Sequence, residues 1–347
     1  MSRTFRLLVM ALIAALALGI AACGDDDDDG GGGGDATTEE QGADIKAGVV
    51  TDIGGLNDRG FNEAANTGRK RAQDELGIET RVLISDQNGD YIPNLTTLVR
   101  QQYDMIVSNG FLMGDATATV ASEFPDTNFA IIDFSASALK GKPKNVEGLI
   151  FKEQEAGYLV GYLAGLWAKD NNAKVVSTVG GQKIPPVDHY IAGFQAGAKK
   201  AFPGVETLNG YSQDFVDQAK CKEIALDQIA KGSKVVFQVA GQCGLGALDA
   251  AKEKGVQGIG VDNDQSFLGP HILTSALKKV DEAVFNAIKR AQDGTFKGGT
   301  DVVATVENGG VGIGKLSAEG EKYADQVQEI EDMIAAGEIP DIPDTVK

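Results

Sequence analysis

The pattern of apolar positions beyond the N-terminal segment alternates between short β-branched runs and longer stretches of helical periodicity. Four runs, near 45–53, 80–85, 103–108 and 128–134, are apolar almost throughout, which is typical of strands buried in a parallel sheet. Between the first two runs, small and apolar residues recur at helical spacing and predict a helix over 60–76. This alternation predicts an α/β fold in which helices cover both faces of a parallel sheet.

The same alternation starts again in the second half of the chain. A long helix is predicted over 151–170, followed by strands in "AKVVSTVGG", "SKVVFQVAG", "VQGIGVD" and "PHILTSAL" with helical stretches between them. Beyond Ala276 the pattern predicts a helix to about Gln292, a strand in "TDVVATVEN", a turn in "GVGIG" and a final helix from Ser317 to about Ala336. The chain therefore divides into two similar Rossmann-like lobes.

Polar loops follow the predicted strands at the ends where ligands bind in open parallel sheets. They include "DIGGLNDRGFN", "DFSAS", "AGQCGLG" and "VDNDQ". We expect lobe 1 to comprise 45–150 and about 276–315, lobe 2 to comprise 151–275, and residues 316–347 to form a C-terminal helix and tail. Two lobes that present such loops to each other across a hinge make a ligand-binding cleft.

The N-terminal segment predicts a secretion signal and a tether. Arg3 and Arg6 precede an apolar run that ends in small residues, the layout of a signal peptide over 1–22. The run is shorter than the roughly 20 apolar residues of a membrane-spanning helix. Its end, "LGIAAC", resembles the bacterial lipobox, which implies lipidation of Cys23; plain secretory cleavage beside a chance cysteine is the alternative. Residues 23–44 hold nine acids, no base and a run of five glycines, and are expected to form a disordered tether.

Composition argues against several classes of function. The chain has 50 acidic and 32 basic side chains among its 347 residues, a formal charge of −18, which argues against nucleic acid as a partner. It has two histidines, His189 and His271, and no HExxH, GxSxG or CxxC motif, so a metal site, triad chemistry and dithiol chemistry are not expected. The glycines of "GQCGLG" follow the order GxxGxG and not the dinucleotide-binding GxGxxG. We expect neither enzymatic activity nor a cofactor.

Several segments together resemble one family, the basic membrane lipoproteins. They are "GGLNDRGFNEAA", "FKEQEAGYLVGYLAGL", "GGQKIPPVDHYIAGFQAG", "AGQCGLGALDAAKEKGV", "GVDNDQS" and "LTSALKKVDEAV", in the family's order and over nearly all of residues 45–315. The resemblance implies a type I periplasmic-binding-protein fold and a substrate-binding lipoprotein of an ABC importer, anchored by lipid at the extracytoplasmic face of the cell membrane. It also implies that the chain captures purine nucleosides and delivers them to permease subunits, and we expect it to do so as a monomer.

The ligand-binding positions of the family carry over onto this chain one by one. The resemblance implies that the base is contacted by two polar residues of the first loop, by an acid after "AII" and by a stacking aromatic: Asn57, Asp58, Asp133 and Phe215. It implies that the ribose is held by a glycine loop, an acid and a lysine: Gly241, Asp262 and Lys278. A carboxylate accepts hydrogen bonds from two vicinal hydroxyls, and a nearby lysine keeps it ionised, so the set is chemically consistent.

Each of these residues also has an ordinary structural interpretation. Asp58 suits the cap of the 60–76 helix, and both roles are compatible. Phe215 suits a core position, and Lys278 beside Lys279 suits a solvated helix face. Acids that end apolar strands, as Asp133 and Asp262 do, are costly to bury without a partner, which favours a site.

One position departs from the family pattern. Asn66 stands in the first helix where the family usually carries Tyr or Trp, so the base would lose one of two stacking walls. Either another aromatic, such as Phe111 or Tyr190, replaces that wall, or the ligand is a different small molecule such as a sugar, a modified nucleoside or a signal. A secreted nucleoside hydrolase that uses Asp58, Asp133 and Asp262 is a further alternative.

The two cysteines of the globular region, Cys221 and Cys243, predict a disulfide. An exported chain matures in an oxidising setting. Cys221 lies early in a helix predicted over 217–231, and Cys243 lies just past the strand that follows it. Since helices run antiparallel to the strands in such a sheet, both cysteines are expected at the same edge, near the cleft.

Overall fold

The computed structural model describes residues 43–346 of the chain. The predicted signal peptide, the predicted lipidation site Cys23 and all but the last two residues of the predicted tether lie outside the described residues. None of the helices in this part combines the length and the hydropathy that a membrane crossing requires.

The strands of the described chain alternate with its helices along most of its length. The strands are β1 (Lys46–Thr51), β2 (Glu79–Leu83), β3 (Met105–Asn109), β4 (Asn128–Ile132), β5 (Val146–Phe151), β6 (Val175–Gly180), β7 (Glu206–Tyr211), β8 (Ser233–Val239), β9 (Gln257–Asp262), β10 (Ile272–Lys278), β11 (Asp301–Ala304) and β12 (Val311–Ile313). The α-helices are α1 (Phe61–Leu76), α2 (Tyr91–Arg100), α3 (Gly114–Glu123), α4 (Glu153–Asp170), α5 (Pro185–Ala201), α6 (Gln218–Ala230), α7 (Gly241–Lys254), α8 (Val280–Gln292) and α9 (Ala324–Ala335).

Two six-stranded sheets form the centres of two lobes. In lobe 1 the strand order is β11-β5-β4-β3-β1-β2, and all neighbours are parallel. In lobe 2 the order is β12-β10-β9-β8-β6-β7, and within this sheet only β12 is antiparallel. Every residue of β3 is buried, as are all but the first of β1, because helices cover both faces. The predicted α/β fold with two parallel-sheet lobes is confirmed.

The chain crosses between the lobes three times: between β5 and α4, between β10 and α8, and between β11 and β12. This division differs from the expected one, which assigned about 276–315 to lobe 1. Strand β10 pairs with β9, and β12 pairs with β10, so both belong to the sheet of lobe 2. From that segment only α8 and β11 pack in lobe 1, and α9 packs against α4 of lobe 2.

The local predictions are accurate for the early strands and weaker near the crossings. The four strands predicted in lobe 1 are confirmed to within two residues at each end. Strand β5 was not predicted, and the "GVGIG" segment, predicted as a turn, forms β12. The final helix begins at Ala324 and not at Ser317, because a short 3-10 turn over 321–323 precedes it.

Helices α4 and α5 of lobe 2 pack with their backbones in near contact. The approach runs along three glycines of α4: Gly157, Gly161 and Gly165. A Cβ atom at Gly157 would lie 2.3 Å from the backbone oxygen of Tyr190 in α5, closer than carbon and oxygen approach without displacement. The helix pair therefore requires a residue without a side chain at this position.

We expect Gly157→Ala to lower the free energy of unfolding by about 1–3 kcal/mol through overpacking. The gain in helix propensity on replacing glycine, roughly 1 kcal/mol at most, opposes this loss without cancelling it. Urea denaturation followed by circular dichroism measures the change. Gly89→Ala is the matched control, because Gly89 is exposed and its added Cβ would meet its nearest neighbour at 4.0 Å. Equal stability of the two variants would contradict the close packing.

Candidate ligand-binding site

A cavity lies between the two lobes, where the carboxyl ends of both sheets face each other. Its polar lining consists of four acids, one lysine and two amides: Asp52, Asp58, Asp133, Asp262, Lys278, Asn62 and Gln242. Aromatic and aliphatic side chains form its walls, among them Phe61, Phe111, Tyr190, Phe215, Ile184 and Val187. Apolar walls with a few convergent polar groups are typical of a small-molecule site.

The structure brings together six of the seven predicted ligand residues. The residues that line the cavity are Asp58, Asp133, Phe215, Gly241, Asp262 and Lys278. The seventh, Asn57, is exposed and lies outside the lining. Of the polar pair in the first loop, only Asp58 is buried, so the two neighbours are not equivalent.

Asp58 joins the N-terminus of α1 to the cavity. Its carboxylate accepts hydrogen bonds from the backbone N–H groups of Gly60 at 3.1 Å, Asn62 at 2.7 Å and Glu63 at 3.0 Å. These donors lie at the helix start and have no partner within the helix. Burial raises the pKa of Asp58, and the three N–H groups oppose that shift. Asp58 therefore caps the helix and lines the cavity at the same time.

Two acids at strand ends have unusual backbone conformations. Asp133 follows β4 with φ of 67°, and Asp262 ends β9 with φ of 63°. Aspartate is among the few residues that adopt this left-handed region, and such outliers concentrate at functional sites. One acid comes from each lobe, so the two carboxylates approach the cavity from opposite sides.

Lys278, at the end of β10, is buried and pairs with acids of both lobes. Its Nζ lies 2.6 Å from Asp133 Oδ1 of lobe 1 and 2.9 Å from Glu153 Oε1 at the start of α4 in lobe 2. Each of the three side chains is at most 5% exposed. The other oxygen of Glu153 lies 3.0 Å from Nδ1 of His189, which is partly exposed. Glu153 was not predicted as a site residue, and neither was His189, which lies in α5.

Buried acids outnumber the buried cation in this cluster, and the pKa values reflect this. Burial acts to lower the pKa of Lys278, but Asp133 and Glu153 outweigh it and hold that pKa above its usual value. For the acid Asp262, burial has the opposite effect and raises the pKa to about 7, although Lys278 opposes the shift. For Glu153, burial is outweighed by Lys278 and His189, which keep its pKa below the usual value. The cluster thus retains an excess of hydrogen-bond acceptors.

Asp52 is a second residue that the sequence reasoning missed. It follows β1, lines the cavity, and accepts hydrogen bonds from Tyr91 Oη and from the backbone N–H of Ile53 through its Oδ1. Burial raises its pKa to about 6, against the effect of the Tyr91 hydrogen bond. An acid at the carboxyl end of an apolar strand was the available signal, the same one that singled out Asp133.

Aromatic rings reach the cavity from both lobes. Phe61 and Phe111 come from lobe 1, and Tyr190 and Phe215 come from lobe 2. Asn66, at the position where the family usually has an aromatic residue, is buried outside the lining and accepts a hydrogen bond from Arg69 Nε at 2.9 Å. Both aromatics expected as substitutes line the cavity, and Phe61 adds a further ring from the first turn of α1.

The loop around Gly241 closes one side of the cavity. Gly241 begins α7 with φ of 55°, and a Cβ atom there would lie 3.4 Å from the backbone oxygen of Phe215. That oxygen also accepts a hydrogen bond from the backbone N–H of Cys243 at 3.0 Å. Cys243 is joined to Cys221 of α6 by a disulfide, with Cα atoms 5.5 Å apart. The disulfide thus lies directly behind the aromatic wall.

Side chains of lobe 2 also hydrogen-bond to the first loop of lobe 1. Asn263 Nδ2 donates to the backbone oxygen of Gly60 at 3.1 Å, and Gln265 Nε2 donates to that of Arg59 at 3.0 Å. Together with the Lys278–Asp133 ion pair, these contacts join the lobes across the cleft. The loop that contributes Asp58 to the cavity lining is therefore also hydrogen-bonded to lobe 2.

The arrangement suits the binding of a neutral, hydrogen-bond-donating molecule. No group of three or more His, Cys, Asp or Glu side chains in residues 43–346 is placed to hold a metal ion. The carboxylates accept hydrogen bonds from hydroxyl and N–H groups, and the rings pack against a flat apolar part.

Comparisons with known proteins agree with this geometry. A family model described as "ABC transporter substrate-binding protein PnrA-like", named Bmp, matches residues 45–343. The ABC transporter nucleoside-binding protein BmpA of Lactococcus lactis is 33% identical over 300 residues, which cover 80% of this chain and 84% of that protein. A lipoprotein of Pyrococcus horikoshii is 33% identical over 309 residues, 84% of this chain and 75% of its own. A crystal structure of an ABC transporter solute-binding protein from Aeropyrum pernix matches with a TM-score of 0.76 and 28% identity, over 85% of this chain and 92% of that one.

Proposed function

The chain belongs to this Bmp family of ABC transporter substrate-binding proteins, and on that premise we propose that it captures purine nucleosides for an importer. The family and its structural neighbours are solute-binding proteins and not enzymes, so the acids of the cleft act as binding groups. The similarity to a nucleoside-binding protein of Lactococcus lactis supports the ligand class.

The observation that carries the proposal is the excess of buried acceptors opposite aromatic rings. Four carboxylates and one ammonium line the cavity, together with four aromatic side chains. A ligand with several O–H and N–H donors and a flat ring satisfies both features. A nucleoside has this composition. A nucleotide would add negative charge beside buried acids, and a sugar lacks a flat aromatic ring. We therefore expect nucleosides to bind and their monophosphates to be rejected.

The proposed roles follow the placement of each group. Asp262 accepts hydrogen bonds from the ribose hydroxyls, and Lys278 donates to a ribose oxygen beside the Gly241 loop. Asp58 and Asp133 accept from the N–H groups of the base, which stacks on Phe215. Asn57 has no part in this arrangement because it lies outside the cavity lining. Phe61 faces the cavity from α1 and serves as the second wall in place of an aromatic at Asn66.

Native mass spectrometry of protein incubated with inosine or guanosine tests the proposal. We expect a complex with the mass of one intact nucleoside per chain, and recovery of the nucleoside unchanged after denaturation. The corresponding monophosphates are the control and should give no complex. Free base in the supernatant would indicate a hydrolase. If no complex formed with either inosine or guanosine, the ligand would belong to another class.

We further propose that a lipid on Cys23 anchors the protein at the outer face of the cell membrane. The lipobox-like "LGIAAC" and the charged, apolar segment before it support this proposal, as does the similarity to a Pyrococcus lipoprotein. Residues 23–44 then act as a tether that lets the lobes reach a membrane permease.

Metabolic labelling with a palmitate analogue tests the anchor. The wild-type protein should take up label and sediment with membranes, whereas Cys23→Ala should take up none and appear in the medium or the soluble fraction. Ser2→Ala, a substitution in the same segment that leaves Cys23 intact, is the control. Equal labelling of the wild type and Cys23→Ala would rule out this attachment site.

A further inference from the structure

Glu153 lies behind the cleft and contacts Lys278, the one cation among the described residues that line it. It occupies the first turn of α4, where the helix N-terminus favours negative charge, and its side chain is 2% exposed. It is not among the residues that line the cavity. Its two oxygens are divided between Lys278 Nζ at 2.9 Å and His189 Nδ1 at 3.0 Å.

The geometry of the ammonium gives this contact a consequence for the cleft. An ammonium group has three N–H donors in a fixed tetrahedral arrangement. Lys278 Nζ donates to Glu153 Oε1 at 2.9 Å and to Asp133 Oδ2 at 2.7 Å. The other oxygen of that carboxylate, Oδ1, lies 2.6 Å from Nζ but accepts no hydrogen bond from the described residues. The rings of Phe61 and Phe151 lie 5.2 Å and 4.8 Å from the nitrogen and confine it further. With two donors fixed, the direction of the third N–H is determined.

His189 holds Glu153 from the other side. It lies in α5, whose backbone is in near contact with that of α4, and its side chain is 28% exposed. The charged groups that act on His189 are Glu153, Asp344 of the C-terminal segment and, more weakly, Lys278. Each carboxylate oxygen of Glu153 therefore has its own hydrogen-bond partner, Lys278 on one side and His189 on the other.

We propose that Glu153, held by His189, is a positioning residue that aims the third N–H of Lys278 at the ribose of the bound nucleoside. The inference rests on the proposed function for the identity of the ligand. It assigns to the acid of "FKEQEAGY" a part in recognition, although that acid lies behind the cavity.

Glu153→Gln tests the proposal, because glutamine keeps the shape and an amide oxygen that accepts from Lys278, while it removes the charge that holds the ammonium. Its NH2 group then faces Nδ1 of His189, so that hydrogen bond reverses direction and forms with the imidazole tautomer that leaves Nδ1 unprotonated. We expect affinity for guanosine to fall about tenfold, the equivalent of one lost charge-assisted hydrogen bond. Affinity for dideoxyguanosine, which lacks the hydroxyls in question, should change much less. Glu155→Gln is the matched control: Glu155 lies in the same helical turn but accepts from the backbone N–H of Val306 at 2.7 Å. A residue that only stabilises the fold would weaken both ligands equally, and that result would overturn the proposal.

A second variant acts on the same chain of contacts from the surface. His189→Phe removes the hydrogen bond to Glu153 and keeps a ring in the same place. We expect the preference for guanosine over dideoxyguanosine to fall in this variant too, by less than in Glu153→Gln. An unchanged preference in both variants would contradict the proposed positioning.

The ammonium itself provides a readout that requires no ligand. In protein prepared with isotopically labelled lysine, an ammonium held by two buried carboxylates exchanges its protons slowly and gives a resolved NMR correlation, assigned by its loss in Lys278→Met. We expect Glu153→Gln to shift or broaden that signal and Glu155→Gln to leave it in place. An unaffected signal in Glu153→Gln overturns the positioning role whether or not a nucleoside binds. If the Lys278 signal changes in Glu153→Gln but the protein binds no nucleoside, only the proposed ligand is overturned.

Discussion

Lys278→Met is expected to lower the free energy of unfolding by about 3–5 kcal/mol at neutral pH, because it leaves two buried carboxylates without their cation. Asp133 and Glu153 both contact Lys278 Nζ, and both are shielded from water. Methionine fills nearly the same space, so the loss reflects charge and not a cavity. The same substitution should also abolish ligand binding, because it removes a cleft donor and the ion pair between the lobes.

The loss in Lys278→Met should depend on pH in a defined direction. Burial already raises the pKa of Asp133 to about 7, and loss of the ammonium raises it further. The pKa of Glu153, which Lys278 and His189 hold below its usual value, also rises when the ammonium is removed. At pH 5 the folded variant binds protons at these acids, which offsets part of its loss in unfolding free energy. That loss, measured against the wild type, grows as the pH rises toward 8. Lys279→Met is the control, since Lys279 is exposed and adjacent in sequence. Denaturation curves at both pH values measure the effect, and a deficit that does not vary with pH would contradict the buried-charge explanation.

Removal of the disulfide should cost about 3 kcal/mol of unfolding free energy, because the bond between Cys221 and Cys243 closes a loop of 22 residues in the unfolded chain. Cys221→Ala/Cys243→Ala should show this loss in urea denaturation, and reduction of the wild type should reproduce it. The reductant should have no further effect on the double variant, which serves as the control. Titration of two free thiols per chain in unreduced protein would contradict the bond.

The acids at strand ends could be predicted from sequence because their signal is local. A carboxylate directly after an apolar strand is costly unless it has a partner, and the carboxyl ends of parallel strands meet at one edge. Asp133 and Asp262 follow this rule and line the cavity. Asp52 has the same signal, but its loop also contains Asn57 and Asp58, and the resemblance directed attention to that pair.

Glu153 could not be predicted as part of the site, because its neighbourhood depends on the crossings between lobes. In the sequence it is one of two acids in the first turn of a long helix, where acids are common for electrostatic reasons. Only the return of the chain through β10 brings Lys278 to it, 125 residues later. The same lack of local signal explains why β12 was missed: its three residues form a strand by pairing with β10.

The second aromatic wall illustrates an intermediate case. Phe61 has the spacing of the apolar face of α1, so periodicity alone assigns it to the core. In the structure Phe61 is the first residue of α1, and its ring packs against the core and also lines the cleft. The departure at Asn66 therefore does not leave the cavity without aromatic surface from lobe 1.

Calorimetric titration of the protein with guanosine, inosine and their dideoxy forms tests the central claim, that the cleft recognises a purine ribonucleoside, most directly. The ribonucleosides should bind at least about tenfold more tightly than the dideoxy forms, because a buried Asp262 carboxylate left without its hydroxyl partners costs about 1–3 kcal/mol. Asp262→Ala should remove that preference, while the exposed-loop variant Asn57→Ala should keep it. Binding of no nucleoside by the wild type below millimolar concentration, or equal affinity for the ribo and dideoxy forms, would contradict the account.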